Sequence, residues 1–196
     1  MASFVENTQH KVERKAFEIM TNSIVGKLTK TDDIAKRQET FLELIDKAET
    51  FWGNGADKAT LDKVREYVKN PENRWVKFVN RVLDETNPNY AKKFLLNLGY
   101  EAFFRGTKTI RANREKYNCN IPWLILFDPT DACNMHCVGC WSGTYGHKNN
   151  MSYEDMDKIV TQGKELGTYL YFMTGGEPTV RKKDILKLAE KHNDCM

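Results

Sequence analysis

Apolar positions along the first half of the chain recur at helical intervals. Val12, Phe17, Met20, Ile24 and Leu28 define one such face, and Ile34 to Phe51 a second run. Thr31-Asp32-Asp33 precedes that run and supplies side-chain oxygens able to cap a helix start. Phe51-Trp52-Gly53-Asn54-Gly55 reads as a break. A third helix fits Leu61, Val64, Tyr67 and Val68, ending at Asn70-Pro71, and a fourth fits Trp75, Val76, Val79, Val82 and Leu83. Asn87-Pro88 ends the fourth and opens a fifth, Tyr90 to Phe104, with Gly106 as the next punctuation. Residues 1–116 are therefore expected to form a helical N-terminal domain.

The pattern changes near Ile121. Ile121 to Phe127 is a short apolar run suited to a buried strand, with Pro122 tolerated near its start. Ser152-Tyr153-Glu154-Asp155 resembles a capping box, and Met156, Ile159, Val160, Gly163 and Leu166 continue a helix that Gly167 ends. Thr168 to Met173 is a second strand, Gly175-Gly176-Glu177-Pro178 a tight turn, and Asp184 to His192 a further helix. Strand, loop, helix, strand, loop, helix is the order of a parallel α/β sheet. Residues 121–196 are read as the start of a second, α/β domain. Chemistry in such sheets gathers at the carboxyl ends of the strands. The loop after the first strand and the turn after the second are thus expected close together. Two strands do not complete a parallel sheet, so the reading expects a piece of a longer protein or of an assembly.

Composition narrows the function classes. Lys plus Arg is 30 against 27 Asp plus Glu, a net charge of +3, which argues against a dedicated nucleic-acid binder. No run approaches a membrane span, and MASFVENTQHKVERK has no secretory pattern, so a cytoplasmic location is expected. Arg105, Lys108, Arg111 and Arg114 form a basic stripe, read as a solvated helix face rather than an anion contact.

Five cysteines in a reducing compartment need an explanation other than disulfides. Cys119 and Cys195 stand alone and are expected to be small buried apolar residues. Cys133, Cys137 and Cys140 are separated by three residues and then two, in Cys133-Asn134-Met135-His136-Cys137-Val138-Gly139-Cys140-Trp141. Such a loop can hand three thiolates to one iron–sulfur cluster and leave one iron open. The alternative is a non-catalytic zinc or iron–sulfur module, with His136 or His147 as the fourth zinc ligand.

The cysteine loop together with Gly175-Gly176-Glu177-Pro178 resembles the radical S-adenosylmethionine (radical SAM) superfamily over about 70 residues, Pro122 to His192. The resemblance implies an α/β fold: a helical N-terminal domain, then the first two βα units of a truncated partial (β/α)6 barrel. It implies that Cys133, Cys137 and Cys140 hold a 4Fe–4S cluster whose open iron is chelated by S-adenosylmethionine. It implies that Gly175, Gly176, Glu177 and Pro178 form the turn that receives the methionine ammonium. Reductive cleavage would then give a 5′-deoxyadenosyl radical that abstracts hydrogen from a substrate. A low-potential electron donor and a substrate, which the sequence does not identify, are the partners implied. The pattern departs from the family at Gly139, where an aromatic residue usually stands before the third cysteine. Trp141 follows that cysteine instead, either replacing the cofactor contact or packing under the loop. With later strands missing, the chain alone is expected to be a poor catalyst.

Overall fold

In a computed structural model, residues 4–52, 57–140 and 149–196 are described. The chain packs as two compact units, Met1–Lys93 and Phe94–Met196. Helices continue to Tyr117, while this packing division falls between Lys93 and Phe94.

The first unit contains α1 (Phe4–Leu28), α2 (Ile34–Trp52), α3 (Lys58–Lys69) and α4 (Arg74–Glu85), with α5 (Pro88–Phe94) starting at its end. Successive helices pack on one another, α1 on α2, α2 on α3 and α3 on α4. The expected helix starts are capped by side chains. Asp33 Oδ1 accepts from Ala35 N–H at 2.9 Å, and Asn73 Oδ1 from Trp75 N–H at 2.9 Å. Gly53, Asn54 and Gly55 lie outside the described residues. The unit is joined by one buried cation: Arg37, 2% exposed, donates to Leu28 O at 2.9 Å, Asn80 Oδ1 at 3.1 Å and Asp84 Oδ1 at 2.5 Å. That side chain thereby caps α1 and ties α2 to α4.

The second unit opens with a long helical rod. After α5 the backbone runs as a π-helix over Leu95–Gly106 and continues as α6 (Thr107–Tyr117). Gly106 therefore does not end a helix, contrary to the sequence reading. It serves instead as a contact point: a Cβ there would lie 2.6 Å from Gly167 O and 2.8 Å from Glu101 O. The basic stripe also divides. Arg105 donates to Glu101 Oε2 at 3.1 Å and Tyr169 Oη at 2.6 Å, and Arg114 to Ile121 O at 3.2 Å. Lys108 and Arg111 are exposed, so only part of the stripe is the expected solvated face.

The sheet of this unit has two strands among the described residues, β1 (Leu124–Phe127) and β2 (Leu170–Met173). They are parallel, with Leu124 opposite Leu170 and Phe127 opposite Met173. Both are shorter than the apolar runs suggested. Pro122 has no N–H for a ladder, and its carbonyl accepts from Thr168 Oγ1 at 2.6 Å. Trp123 Nε1 donates to Ala102 O at 3.3 Å. Between the strands runs α7 (Tyr153–Leu166), started by Ser152, whose Oγ accepts from Asp155 N–H at 3.1 Å. A 3-10 turn (Pro178–Arg181) leads into α8 (Lys182–Lys191), two residues earlier than expected. One face of the sheet is buried beneath α7 and α8 by Phe127, Met156, Val160, Tyr171 and Leu188. Met196 lies along the edge of β2: its N–H donates to Tyr169 O at 2.8 Å, and Tyr171 N–H donates to its carbonyl at 2.7 Å. The architecture is a helical chain with a small parallel α/β sheet, compatible with part of a radical SAM fold. No helix among the described residues is long and apolar enough to cross a membrane.

The two isolated cysteines have different fates. Cys119 is exposed, not buried as expected. Cys195 is half-buried against the core, and burial, reinforced by the Asp194 carboxylate, pushes its thiol up to about 12. Iodoacetamide at pH 8 attacks thiolates, so the metal-free native chain is expected to alkylate at Cys119 and Cys137 well before Cys195. Mass spectrometry of quenched samples reads the order, and equal rates would contradict this packing.

Candidate functional site

Both motifs emerge from the carboxyl ends of parallel neighbours, and the backbone joins them there. Beyond β1 the chain reads Asp128-Pro129-Thr130-Asp131-Ala132-Cys133, and beyond β2 it reads Thr174-Gly175-Gly176-Glu177-Pro178. Thr174 N–H donates to Phe127 O at 3.2 Å, Gly176 N–H to Thr130 O at 2.9 Å and Glu177 N–H to Ala132 O at 2.8 Å. Thr174 Oγ1 adds a bond to Asp128 Oδ1 at 2.8 Å. The strand pairing thus continues past the regular ladder until one residue before Cys133.

The two glycines are required by this pairing. Gly175 has φ +100°, and a Cβ there would lie 2.5 Å from Thr130 O. At Gly176 a Cβ would collide with Ala132 O and lie 2.6 Å from Ala132 C and 2.7 Å from Asp131 C. The absent side chains are used for close backbone approach.

Glu177 caps the turn it opens. Its Oε1 accepts from Thr179 N–H at 3.0 Å and Thr179 Oγ1 at 2.5 Å. The Thr179 hydroxyl, then its N–H, hold this carboxyl below the usual carboxylate range. Pro178 occupies the first turn of the 3-10 segment, where its missing N–H costs nothing.

The cysteine loop is fixed at its mouth and open at its tip. The residues entering it pair antiparallel with those leaving it: Thr130 bridges Asn150, Asp131 N–H donates to Asn149 O at 3.1 Å, and Met151 N–H donates to Pro129 O at 3.0 Å. Side chains repeat the bond. Asn149 Nδ2 and N–H donate to the Asp131 carboxylate at 2.7 and 2.8 Å, and Thr130 Oγ1 donates to Asn150 Oδ1 at 2.7 Å. At the tip, Cys140 N–H donates to Cys137 O at 3.2 Å and Gly139 adopts φ +77°. Among the described residues nothing lies within 4 Å of a Cβ at Gly139, whose φ lies in the left-handed region that glycine adopts freely. Cys133 is half-buried; Cys137, Cys140 and His136 are exposed, and all the described cysteines are free of disulfides. Among the described residues no three His, Cys, Asp or Glu side chains stand close enough together to hold a metal ion. Trp141 and His147 lie outside the described residues.

The donor set nevertheless fits an iron–sulfur cluster. Three free thiols are tethered within one short loop whose ends are held by hydrogen bonds. Bound metal would itself supply organising contacts to these thiols. Sequence reasoning found the thiols and the turn but missed the mouth: Thr130, Asp131, Asn149, Asn150 and Arg181. The only available signal was the pair of short polar runs flanking the loop, Thr130-Asp131 and Asn149-Asn150.

Comparison with known proteins finds similarity over this same region. The family model described as "Radical SAM superfamily" matches residues 127–194. The GTP 3′,8-cyclase of Petrotoga mobilis is 36% identical over 92 residues, 42% of this chain and 28% of that protein. The GTP 3′,8-cyclase of Desulforamulus reducens is 36% identical over 81 residues, 39% of this chain and 24% of that protein. That of Thermodesulfovibrio yellowstonii is 35% identical over 74 residues, 35% and 23% of the two chains. The chain thus spans about a quarter of the length of these curated relatives. No solved structure gives a significant match. Residues 127–194, which carry the cysteine loop and the Gly-Gly-Glu-Pro turn, match the radical SAM superfamily, whose members use a 4Fe–4S cluster and S-adenosylmethionine.

Proposed function

We propose that Cys133, Cys137 and Cys140 hold the 4Fe–4S cluster and that the Gly175–Pro178 turn orients S-adenosylmethionine beside it, for hydrogen abstraction from a substrate carbon. When bound, the cluster supplies the one-electron reduction that cleaves the sulfonium carbon–sulfur bond. The chain's own residues have simpler tasks. The thiols, as thiolates, are soft ligands. The Glu177 carboxylate is a charge-assisted acceptor for an ammonium group. Gly175 and Gly176 let that carboxylate stand next to the loop. The observation that carries the reading is the backbone bond from Glu177 N–H to Ala132 O, 2.8 Å, one residue before the first cysteine.

The cytoplasm, reducing and so able to keep these thiols free, is the compartment this reading expects. A low-potential electron donor is the partner it requires. The named activity of the relatives, GTP cyclisation, is not carried over, because the similarity covers about a quarter of those proteins. The substrate is therefore proposed only as a molecule with an unactivated carbon–hydrogen bond.

Glu177→Gln tests the turn. A charge-assisted bond contributes roughly 1.5–3 kcal/mol, so S-adenosylmethionine binding to the anaerobically reconstituted chain should weaken about tenfold or more. Equilibrium dialysis with labelled ligand measures it, and unchanged affinity would remove Glu177 from the site. The sign of the pH effect follows from its lowered pKa. The ionised form is retained as pH falls through the ordinary carboxyl range, so this contact should persist from neutrality into that range. It should be lost only as pH falls through the depressed value.

A further inference from the structure

One side chain reaches both segments at the mouth of the cysteine loop. Arg181 Nη1 donates to Pro129 O at 3.3 Å, before the loop, and to Met151 O at 2.7 Å, after it. Its Nε and Nη2 both donate to Asp184 Oδ2, at 3.0 and 2.7 Å. The side chain is only 17% exposed. Pro129 O is shared with Met151 N–H at 3.0 Å, so the guanidinium joins a bond that already closes the mouth. Arg181 itself ends the 3-10 turn that Glu177 caps. A planar guanidinium has fixed donor directions. Satisfying two carbonyls on the segments entering and leaving the loop, with the carboxylate bracing the other edge, sets the spacing of those segments. The same turn is bonded to the loop on its other side through Gly176 and Glu177.

We propose that Arg181 is a positioning residue for the cofactor site, holding the mouth of the cysteine loop in register with the Gly175–Glu177 turn. The proposal rests on the reading given under Proposed function and extends it to a residue that touches neither thiol nor ligand. Asp184 is its brace. The turn thus contributes twice: Glu177 is the proposed ligand contact, and Arg181 secures the segments that flank the thiols. A lysine would keep the charge and one donor nitrogen but lose the second guanidinium edge, whose Nε and Nη2 bonds to Asp184 hold Nη1 between the two carbonyls.

The test uses the full chain with Arg181→Met and Arg181→Lys, each checked for folding by far-UV circular dichroism. In the metal-free protein, amide hydrogen exchange at Asp131 and Met151 reads the mouth directly. Both variants are expected to exchange about tenfold faster there, with α7 unchanged. After anaerobic reconstitution, the electron paramagnetic resonance spectrum of the reduced cluster is titrated with S-adenosylmethionine. The spectral change should require about fivefold or more ligand in both variants, with lysine giving no rescue. Unchanged exchange overturns the clamp. Faster exchange with an unaltered titration reduces Arg181 to a structural brace and overturns the positioning role, as does full rescue by lysine. If the wild-type chain takes up no iron, the proposed function fails and the positioning role falls with it. The exchange experiment then still decides whether Arg181 closes the mouth.

Discussion

Replacing Cys137 with alanine is expected to remove nearly all iron from the anaerobically reconstituted chain, from about four atoms per chain in the wild type. The brown colour should be lost with it. Cys137 is exposed and its thiol has no place in the core, so the substitution should leave stability within about 0.5 kcal/mol. Loss of iron without loss of fold would therefore report ligation. Cys119→Ala, also at an exposed position, is the matched control and should keep its full iron content. Iron uptake unchanged in Cys137→Ala, or stoichiometric zinc in the wild type, would contradict the proposed ligand set and restore the zinc reading. Two thiolates can retain a cluster far less well than three, because an exposed site then opens to solvent and exogenous thiols.

Gly176→Ala should strongly destabilise the second unit. The added methyl would overlap the carbonyl of Ala132, with Ala132 C at 2.6 Å and Asp131 C at 2.7 Å from the new atom. These neighbours are backbone, so no rotamer change relieves the clash. Overpacking of this kind costs roughly 1–3 kcal/mol where neighbours can shift, and more where they cannot, so about 3 kcal/mol is expected. Urea denaturation of the metal-free chain measures it. The turn would have to part from the loop, so iron uptake should fall as well. At Gly139 the outcome differs in kind. Among the described residues a Cβ meets nothing there within 4 Å, and the φ of +77° penalises alanine by about 1 kcal/mol. A Gly176→Ala variant as stable as wild type would mean that the turn does not lie on the Thr130–Ala132 backbone.

Much of this was legible from residue identity. The caps at Asp33, Asn73 and Ser152 fall where the polar residues precede apolar periodicity. Such side chains bond within three residues, and no distant neighbour is needed to place them. The parallel pairing of β1 with β2 followed from the strand–helix–strand order. Gly106 went the other way. A glycine between helical segments reads as a stop, yet Gly106 lies inside a continuous rod, and its missing side chain leaves room for Gly167, distant in sequence. The basic stripe failed similarly at Arg105, whose partner Tyr169 comes from the far end of the domain. Cys119 and Cys195 looked equivalent in the sequence, and only packing separated them.

By itself the sequence determined the chemistry: three thiols at intervals that suit one cluster, and a glycine-rich acidic turn after the next strand. Side-chain type and short spacing carry that information, because both ends of each relationship are local. Tertiary structure alone decided how the loop and the turn become one site. Their connections run through the carbonyls of Phe127, Pro129, Thr130, Ala132 and Met151. Every residue has a carbonyl, so nothing in the letters distinguishes the ones that matter until the strands bring them within reach of Thr174, Gly176, Glu177 and Arg181.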